Sequence, residues 1–327
     1  METIYPQTHV RPEDHDLSHR AAFQIGGITV LVGGQSQEDV ALVDSLLPFK
    51  AESCTSDINL SVEWVESLIS PDQKSLFDSG SVWRLYEDGT NLTFDFSSSI
   101  LASQPYKRLI VNRAFREAIL QMNAEFFGSV GRPSFPLEYP LDELLIMHRL
   151  TQEKAVELHG AGIVTADGIG NLFVGHSGAG KSTTTRLWTA LEDVEVLSDD
   201  RIIVRRDEAE KQVPHRRFAP IRNDNAKNKM RMYGTPWHGE AMYASPNSAP
   251  LARIFVLEHG HGNVLTPLTP SQAVAELFAR AFVPFHRHEY VESALSFLQE
   301  VVDTVPVYRF AFEPDHRAVD TILNLRD

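Results

Sequence analysis

The sequence predicts an α/β chain with α+β character: a smaller, mainly-β N-terminal module over residues 1–135, then an α/β domain with a mixed sheet over residues 140–327. Three observations predict it. Strand-like patterning dominates the first 130 residues. A Pro- and Gly-containing stretch, Gly128–Pro140, then separates two differently patterned regions, as a linker does. Beyond it, two apolar strands joined by a tight turn run into a glycine-rich loop and a helix. That turn gives the loop strand an antiparallel neighbour, whereas a sheet of pure βα units would give it parallel ones.

Ala22–Gly34 reads as strand interrupted by a Gly-Gly turn. Gln37–Leu47 has Val40, Val43, Leu46 and Leu47 at helical spacing, and Ser36 is placed to cap it. Ile58–Val65 alternates as a half-buried strand. Val82–Tyr86, Asp88-Gly89 and Leu92–Phe96 predict a hairpin with a tight primed turn. Leu109–Val111 is a short strand and Phe115–Phe127 a helix. In the second region Leu141–Leu150 is an amphipathic helix that starts after Pro140. Ala155–Val164 and Gly170–Val174 are strands about the Ala166-Asp167-Gly168 turn. A helix over Ser182–Leu191, strands at Val194–Leu197 and Ile202–Val204, helices over Gln272–Phe282 and Tyr290–Val302, a strand over Val305–Phe312 and a helix over Asp315–Leu325 complete the pattern.

Composition bounds the function. Over 327 residues, 44 acidic side chains against 30 Lys+Arg give a net charge of -14, which opposes nucleic acid and anionic membranes. Hydrophobic residues at 43% support a sizeable core, and no apolar run is long enough to span a bilayer. The N-terminus lacks the basic-then-apolar pattern of a secretory signal. The single cysteine, Cys54, forms no internal disulfide and no thiolate zinc cluster. A reducing, cytoplasmic location is the expectation.

Gly175-His176-Ser177-Gly178-Ala179-Gly180-Lys181-Ser182 fits G-x-x-x-x-G-K-[ST] without departure, between a strand and a helix. Glycines let successive backbone amides turn inward as an anion nest, and the helix adds its positive end. Lys181 reaches the β- and γ-phosphates, and the Ser182 hydroxyl can ligate Mg²⁺. Gly175, Ser177, Gly178, Ala179, Gly180, Lys181, Ser182 and the adjoining Thr183 are therefore the expected nucleotide set, for ATP with Mg²⁺. A second element follows at the end of the strand Val194–Leu197: Asp199 and Asp200. Two carboxylates there can divide labour, one beside the metal and one taking a proton from an attacking hydroxyl. Like charges so close raise one pKa, and bound Mg²⁺ opposes that.

Other residues have two readings each. His159 reads as a hydrogen-bonded core histidine or a site residue, and His176 lines the loop. Residues 215–231 hold six Lys/Arg and one Asp, either a solvated loop or an electropositive flap. Trp237 and His238 suit adenine or substrate contact, or a packed turn. Arg280, on the helix of residues 272–282, reads as a surface arginine, with reach to a γ-phosphate as the alternative. The pairs His259/His261 and His286/His288 are weak metal spacings.

Leu158-His159-Gly160, the loop, and Ser198-Asp199-Asp200-Arg201-Ile202 together resemble the HPr kinase/phosphorylase family. The resemblance covers about residues 140–327 and is sharpest over 159–202. Tyr233–Glu240 is similar to a stretch in bacterial HPr-kinase-related proteins. The resemblance implies a carboxykinase-like P-loop kinase core, shared with ATP-dependent phosphoenolpyruvate carboxykinase, and phosphoryl transfer from ATP to a hydroxyl. Asp200 would be the catalytic base, Asp199 its acidic neighbour at the metal, and His159 a tuner of these carboxylates. The family's glycine-rich signature after the Asp pair is not recognisable, and Glu240 stands for its metal-binding glutamate by type only. The expected partner is a hydroxyl-bearing peptide, protein or small molecule, and a homo-oligomer stays open. A nucleotide-dependent switch and carboxykinase-like or pyrophosphate-linked chemistry are the alternatives.

Overall fold

Period-two burial builds the first of two units into which the chain divides, Met1–Phe23 with Ile28–Leu145 and Gln24–Gly27 with Ile146–Asp327. The computed structural model describes residues 17–52, 55–98, 102–130, 134–206 and 230–325. Cys54 and most of the basic stretch 215–231 lie outside the described residues.

The strands of the first unit are β1 (His19–Ile25), β2 (Ile28–Gly34), β3 (Ile58–Val65), β4 (Phe77–Asp78), β5 (Trp83–Glu87), β6 (Asn91–Ser98), β7 (Ala102–Asn112) and β8 (Glu117–Asn123), followed by the helix α1 (Ala124–Val130). They form one sheet in the order β1-β2-β3-β8-β7-β6-β5-β4. β3 is parallel to both β2 and β8, and the successive pairs β4–β5, β5–β6, β6–β7 and β7–β8 are antiparallel.

Two local expectations are overturned in this unit. No helix spans 37–47; short 3-10 turns occupy Glu38–Val40 and Leu47–Phe49. Buried Asp39 is the reason: Oδ2 accepts the amides of Gln35 and Ser36, and Oδ1 the indole N–H of Trp64, so the backbone is committed to a turn. Residues 115–127 are mostly strand, because Ala118, Leu120 and Met122 bury alternately along β8. The 82–96 hairpin is present with a two-residue Gly89-Thr90 loop: the Glu87–Leu92 register sets Asp88 opposite Asn91, the Asp88 amide donates to the Asn91 carbonyl (3.3 Å), and Gly89 takes the positive φ. Asp88 Oδ1 also accepts the amides of Thr90 and Asn91.

The helix α2 (Leu141–Leu150) matches its sequence span, and the division between the units falls within it. In the second unit follow β9 (Ala155–Val164), β10 (Gly170–Val174), α3 (Lys181–Thr189), β11 (Glu195–Ser198), β12 (Arg201–Arg206), β13 (Met230–Tyr233), β14 (Ser248–His259), β15 (Val264–Pro267), α4 (Pro270–Phe278), β16 (Ala281–Phe282), α5 (His288–Thr304), β17 (Val307–Phe312) and α6 (His316–Leu323). The mixed sheet that the sequence predicts is present: β10 is antiparallel to β9 and parallel to β14. β9–β12, β12–β13 and β13–β14 are antiparallel, so β9, β12, β13, β14 and β10 close into a five-stranded ring. β17 extends the sheet parallel to β14, and β15 pairs with β17.

Strand alternation splits the core of this unit. Leu172, Val174, Ile254 and Val256 face one cluster, with Leu277, Leu298 and Val301 from α4 and α5. Phe173, Phe255 and Leu257 face the other, with Trp188 of α3 and Val319 and Ile322 of α6. The helix expected over 272–282 ends at Phe278. Ala281 and Phe282 pair instead with Leu158 and Glu157 of β9, which leaves Arg280 at the bend. No helix among the described residues is long and apolar enough to cross a membrane.

Candidate active site

β10 is buried along its whole length and delivers the chain into the glycine loop at Gly175. Gly178 and Gly180 have φ of 80° and 101°, a backbone that L side chains rarely adopt. A Cβ on Gly180 would also lie 2.6 Å from the Phe312 ring. Among the described residues, the amides of Ser177, Gly178, Gly180, Lys181, Ser182 and Thr183 make no hydrogen bond, and neither does the Ser182 hydroxyl. Six unengaged amide donors along the loop and the helix start suit the negative charge of a polyphosphate. His259 Nε2 lies 2.7 Å from the Gly178 carbonyl and ties the loop to the end of β14.

Lys181 is buried, and its ammonium donates to the carbonyls of Gly175 (3.1 Å) and His176 (3.3 Å). Burial pulls its pKa below the ordinary lysine value. Asp200 and, more weakly, Asp199 pull it back, while Arg201 and Arg280 add to the depression. The loop lysine therefore lies within the electrostatic reach of the Asp pair.

Asp199 and Asp200 link β11 to β12, where Ser198 Oγ accepts the amides of Asp200 and Arg201 and the Asp200 carbonyl accepts the Gly160 amide. The two acids part from there. Asp199 is 2% exposed. Its Oδ1 accepts the amides of Gly239 (3.0 Å) and Tyr243 (3.3 Å), and its Oδ2 that of Ala241 (2.9 Å). It clamps the 239–243 loop. Gly239 eases that approach, since a Cβ there would stand 3.0 Å from Asp199 Oδ2 and 3.3 Å from the Asp200 Cβ, tight contacts on both sides.

Asp200 is partly open. Its Oδ1 sits 3.0 Å from His159 Nε2 and its Oδ2 3.4 Å from Arg201 Nη1. Burial pushes its pKa up, but the His159 hydrogen bond, Arg201 and Lys181 outweigh burial and hold it below the usual carboxylate value. The raised acid that two adjacent carboxylates suggest is not what this site builds. The neighbouring Asp199 turns toward backbone amides, and the cations around Asp200 decide the sign.

Arg201, named in the sequence only as part of the Asp-Asp-Arg run, organises the corner. Its guanidinium lies 3.8 Å from the Phe282 ring centre and 3.4 Å from Glu157 Oε1. His159 packs edge-on against the same ring, and its amide donates to the Arg280 carbonyl. Arg280 is 8% exposed and held by Glu276, so it is not a surface arginine. The signal that would have found it is the end of α4, which spacing alone did not mark. Trp237 is buried, its carbonyl accepting from Ser198 Oγ, as a packed turn requires. Thr235 Oγ1 donates to the Arg201 carbonyl beneath it. His176, His238 and Glu240 are exposed. Among the described residues no group of three His, Cys, Asp or Glu is arranged to hold a metal, the spaced histidine pairs included.

No protein-family model matches the chain, and no curated protein matches it either.

Proposed function

We propose that this chain is an ATP-dependent phosphotransferase that moves the γ-phosphoryl group to a hydroxyl, with the serine of a peptide or protein as the first acceptor class. One observation carries it. Asp200, hydrogen-bonded to His159, stands within the electrostatic field of the phosphate-loop lysine, although β9, the loop and the Asp pair are separate in sequence. Asp200 Oδ accepts the alcohol proton, the alcohol oxygen bonds to the γ-phosphorus, and the bond to ADP breaks with its electron pair leaving on ADP. A carboxylate of depressed pKa is a weak base. It suffices when the transition state is loose and the proton moves late. His159 orients that carboxylate, and the loop amides with Lys181 bind the phosphates.

Mg²⁺ bound with the nucleotide would neutralise phosphate charge. It needs few protein ligands when phosphates supply the rest, and the unengaged Ser182 hydroxyl fits that role. Asp199 already accepts three amides, which leaves it one lone pair for a metal-bound water rather than a full ligand position. The order His-Gly, loop, Asp-Asp-Arg supports the HPr kinase-like assignment, and the antiparallel partner of the loop strand supports a carboxykinase-like core.

The test is transfer of label from γ-labelled ATP to serine peptides and cell extract. Asp200→Asn is expected to lower transfer by about 10²–10⁴-fold while leaving ATP affinity nearly unchanged. Undiminished transfer by this variant would remove Asp200 from the chemistry. Slow release of free phosphate with no labelled acceptor would favour a nucleotide switch.

A further inference from the structure

β10 serves more than the phosphate loop. Its other end lines a cavity of about 390 Å³ within the second unit, walled also by the β9–β10 turn, α3, β14 and α6. That volume lies in the range of small-molecule sites, near the small end. Asn171 lies on this wall, 3% exposed. Its side chain makes no hydrogen bond among the described residues, and its Oδ1 is fully enclosed. Its Nδ2, also without a hydrogen bond among the described residues, is the atom of this amide that stays accessible, and an unpartnered amide donor at a cavity wall is a ready contact for a ligand.

Two opposite charges flank it. Arg253 on β14 is a lining residue of the cavity, and its guanidinium donates to the carbonyl of Leu325, another lining residue. Asp167 in the turn accepts from the Thr165 hydroxyl and the Ile169 amide through Oδ1, while its Oδ2 accepts nothing among the described residues. The rest of the wall is apolar, with Trp188, Ile322 and Leu325.

A simple anion would meet Asp167 and a simple amine would meet Arg253, so one charged group alone pays a repulsion that a zwitterion avoids. We infer that this cavity binds a free α-amino acid with an apolar side chain. Arg253 takes the carboxylate, Asp167 the ammonium, Asn171 donates to the head group from Nδ2, and the apolar wall takes the side chain. The inference stands whether or not the loop binds ATP.

The test is calorimetry and thermal melting of the full chain, without nucleotide, against L-leucine and L-phenylalanine. The comparison compounds are 4-methylpentanoate, 3-methylbutylamine and glycine. At least one apolar amino acid is expected to bind saturably and raise Tm. Removing either charged group or the side chain should weaken binding at least about tenfold, the loss of one good polar contact. Asn171→Leu is expected to abolish binding with Tm equal to or above that of the unsubstituted chain, because it removes an unpartnered amide. Should that variant not fold, Asp167→Asn replaces it. Its amide oxygen keeps the Thr165 and Ile169 bonds, so the turn survives while affinity falls at least about tenfold. Absence of binding at millimolar amino acid overturns the inference, as does equal affinity for the deaminated acid. Retained binding by Asn171→Leu or by Asp167→Asn overturns it too.

Discussion

Two adjacent carboxylates with unlike surroundings should fail in unlike ways when each is made an amide. Asp199→Asn keeps one carbonyl oxygen for the amides of Gly239 and Tyr243, but sets an NH₂ against the Ala241 N–H, 2.9 Å away in the native pairing. One charge-assisted hydrogen bond is lost, and a buried amide is left facing a donor. Such a loss costs about 1.5–3 kcal/mol. For a unit of this size each kcal/mol moves Tm by roughly 2–4 °C, so a fall of about 3–12 °C is expected. Asp200→Asn sits on a side chain that is 27% exposed and touches no loop amides, so its Tm should move far less. Calorimetry measures the melting, and amide hydrogen exchange read at Gly239, Ala241 and Tyr243 locates the change. Those amides should lose protection in Asp199→Asn and keep it in Asp200→Asn. If Asp199→Asn melts with the unsubstituted chain and the three amides stay protected, the clamp assigned to Asp199 is wrong.

Further outcomes follow from the same geometry. Gly180→Ala forces a side chain into φ of 101° and against Phe312, which costs about 1–3 kcal/mol; calorimetry with MgATP should show affinity lost beyond what Tm loss explains. Lys181→Met removes an ammonium whose burial is unfavourable, so the variant should melt no lower than the unsubstituted chain while MgATP binding falls by at least about tenfold. For pH, the folded Asp200 carboxyl lies below its unfolded value. Its stabilisation is therefore complete above the unfolded value of about 3.9 and is lost as pH falls through the lower folded pKa. Urea melts of the unsubstituted chain and Asp200→Asn should thus differ at neutral pH and converge in acid; a difference that grows in acid would reverse the sign assigned here.

The legible parts of this chain are local ones. The 155–174 hairpin and the loop were readable because an Asp-Gly turn, two apolar runs and the glycine spacing all lie within thirty residues of one another. Residues 115–127 misled because an apolar run with Phe115, Ile119, Leu120, Phe126 and Phe127 fits helix spacing, while the alternation of 118, 120 and 122 fits a strand; pairing with the preceding strand β7 and with β3, distant in sequence, decides between them. The clamp on Asp199 left no mark because its partners are backbone amides, which carry no side-chain signature. Arg280 was misplaced for a related reason. The residues that turn α4 into β16 are apolar on both sides of the boundary, and only pairing with β9 ends the helix.

The closed ring has an outcome for synthesis. β10 meets β9 as soon as both have left the ribosome, but its parallel partner is encoded about eighty residues later, at 251–256. At translation rates of roughly 5–20 residues per second, the glycine loop hangs from a half-covered strand for several seconds before β14 arrives. During that interval an aromatic strand edge around Phe173 stands open to nascent neighbours, which gives a chaperone reason to cover it.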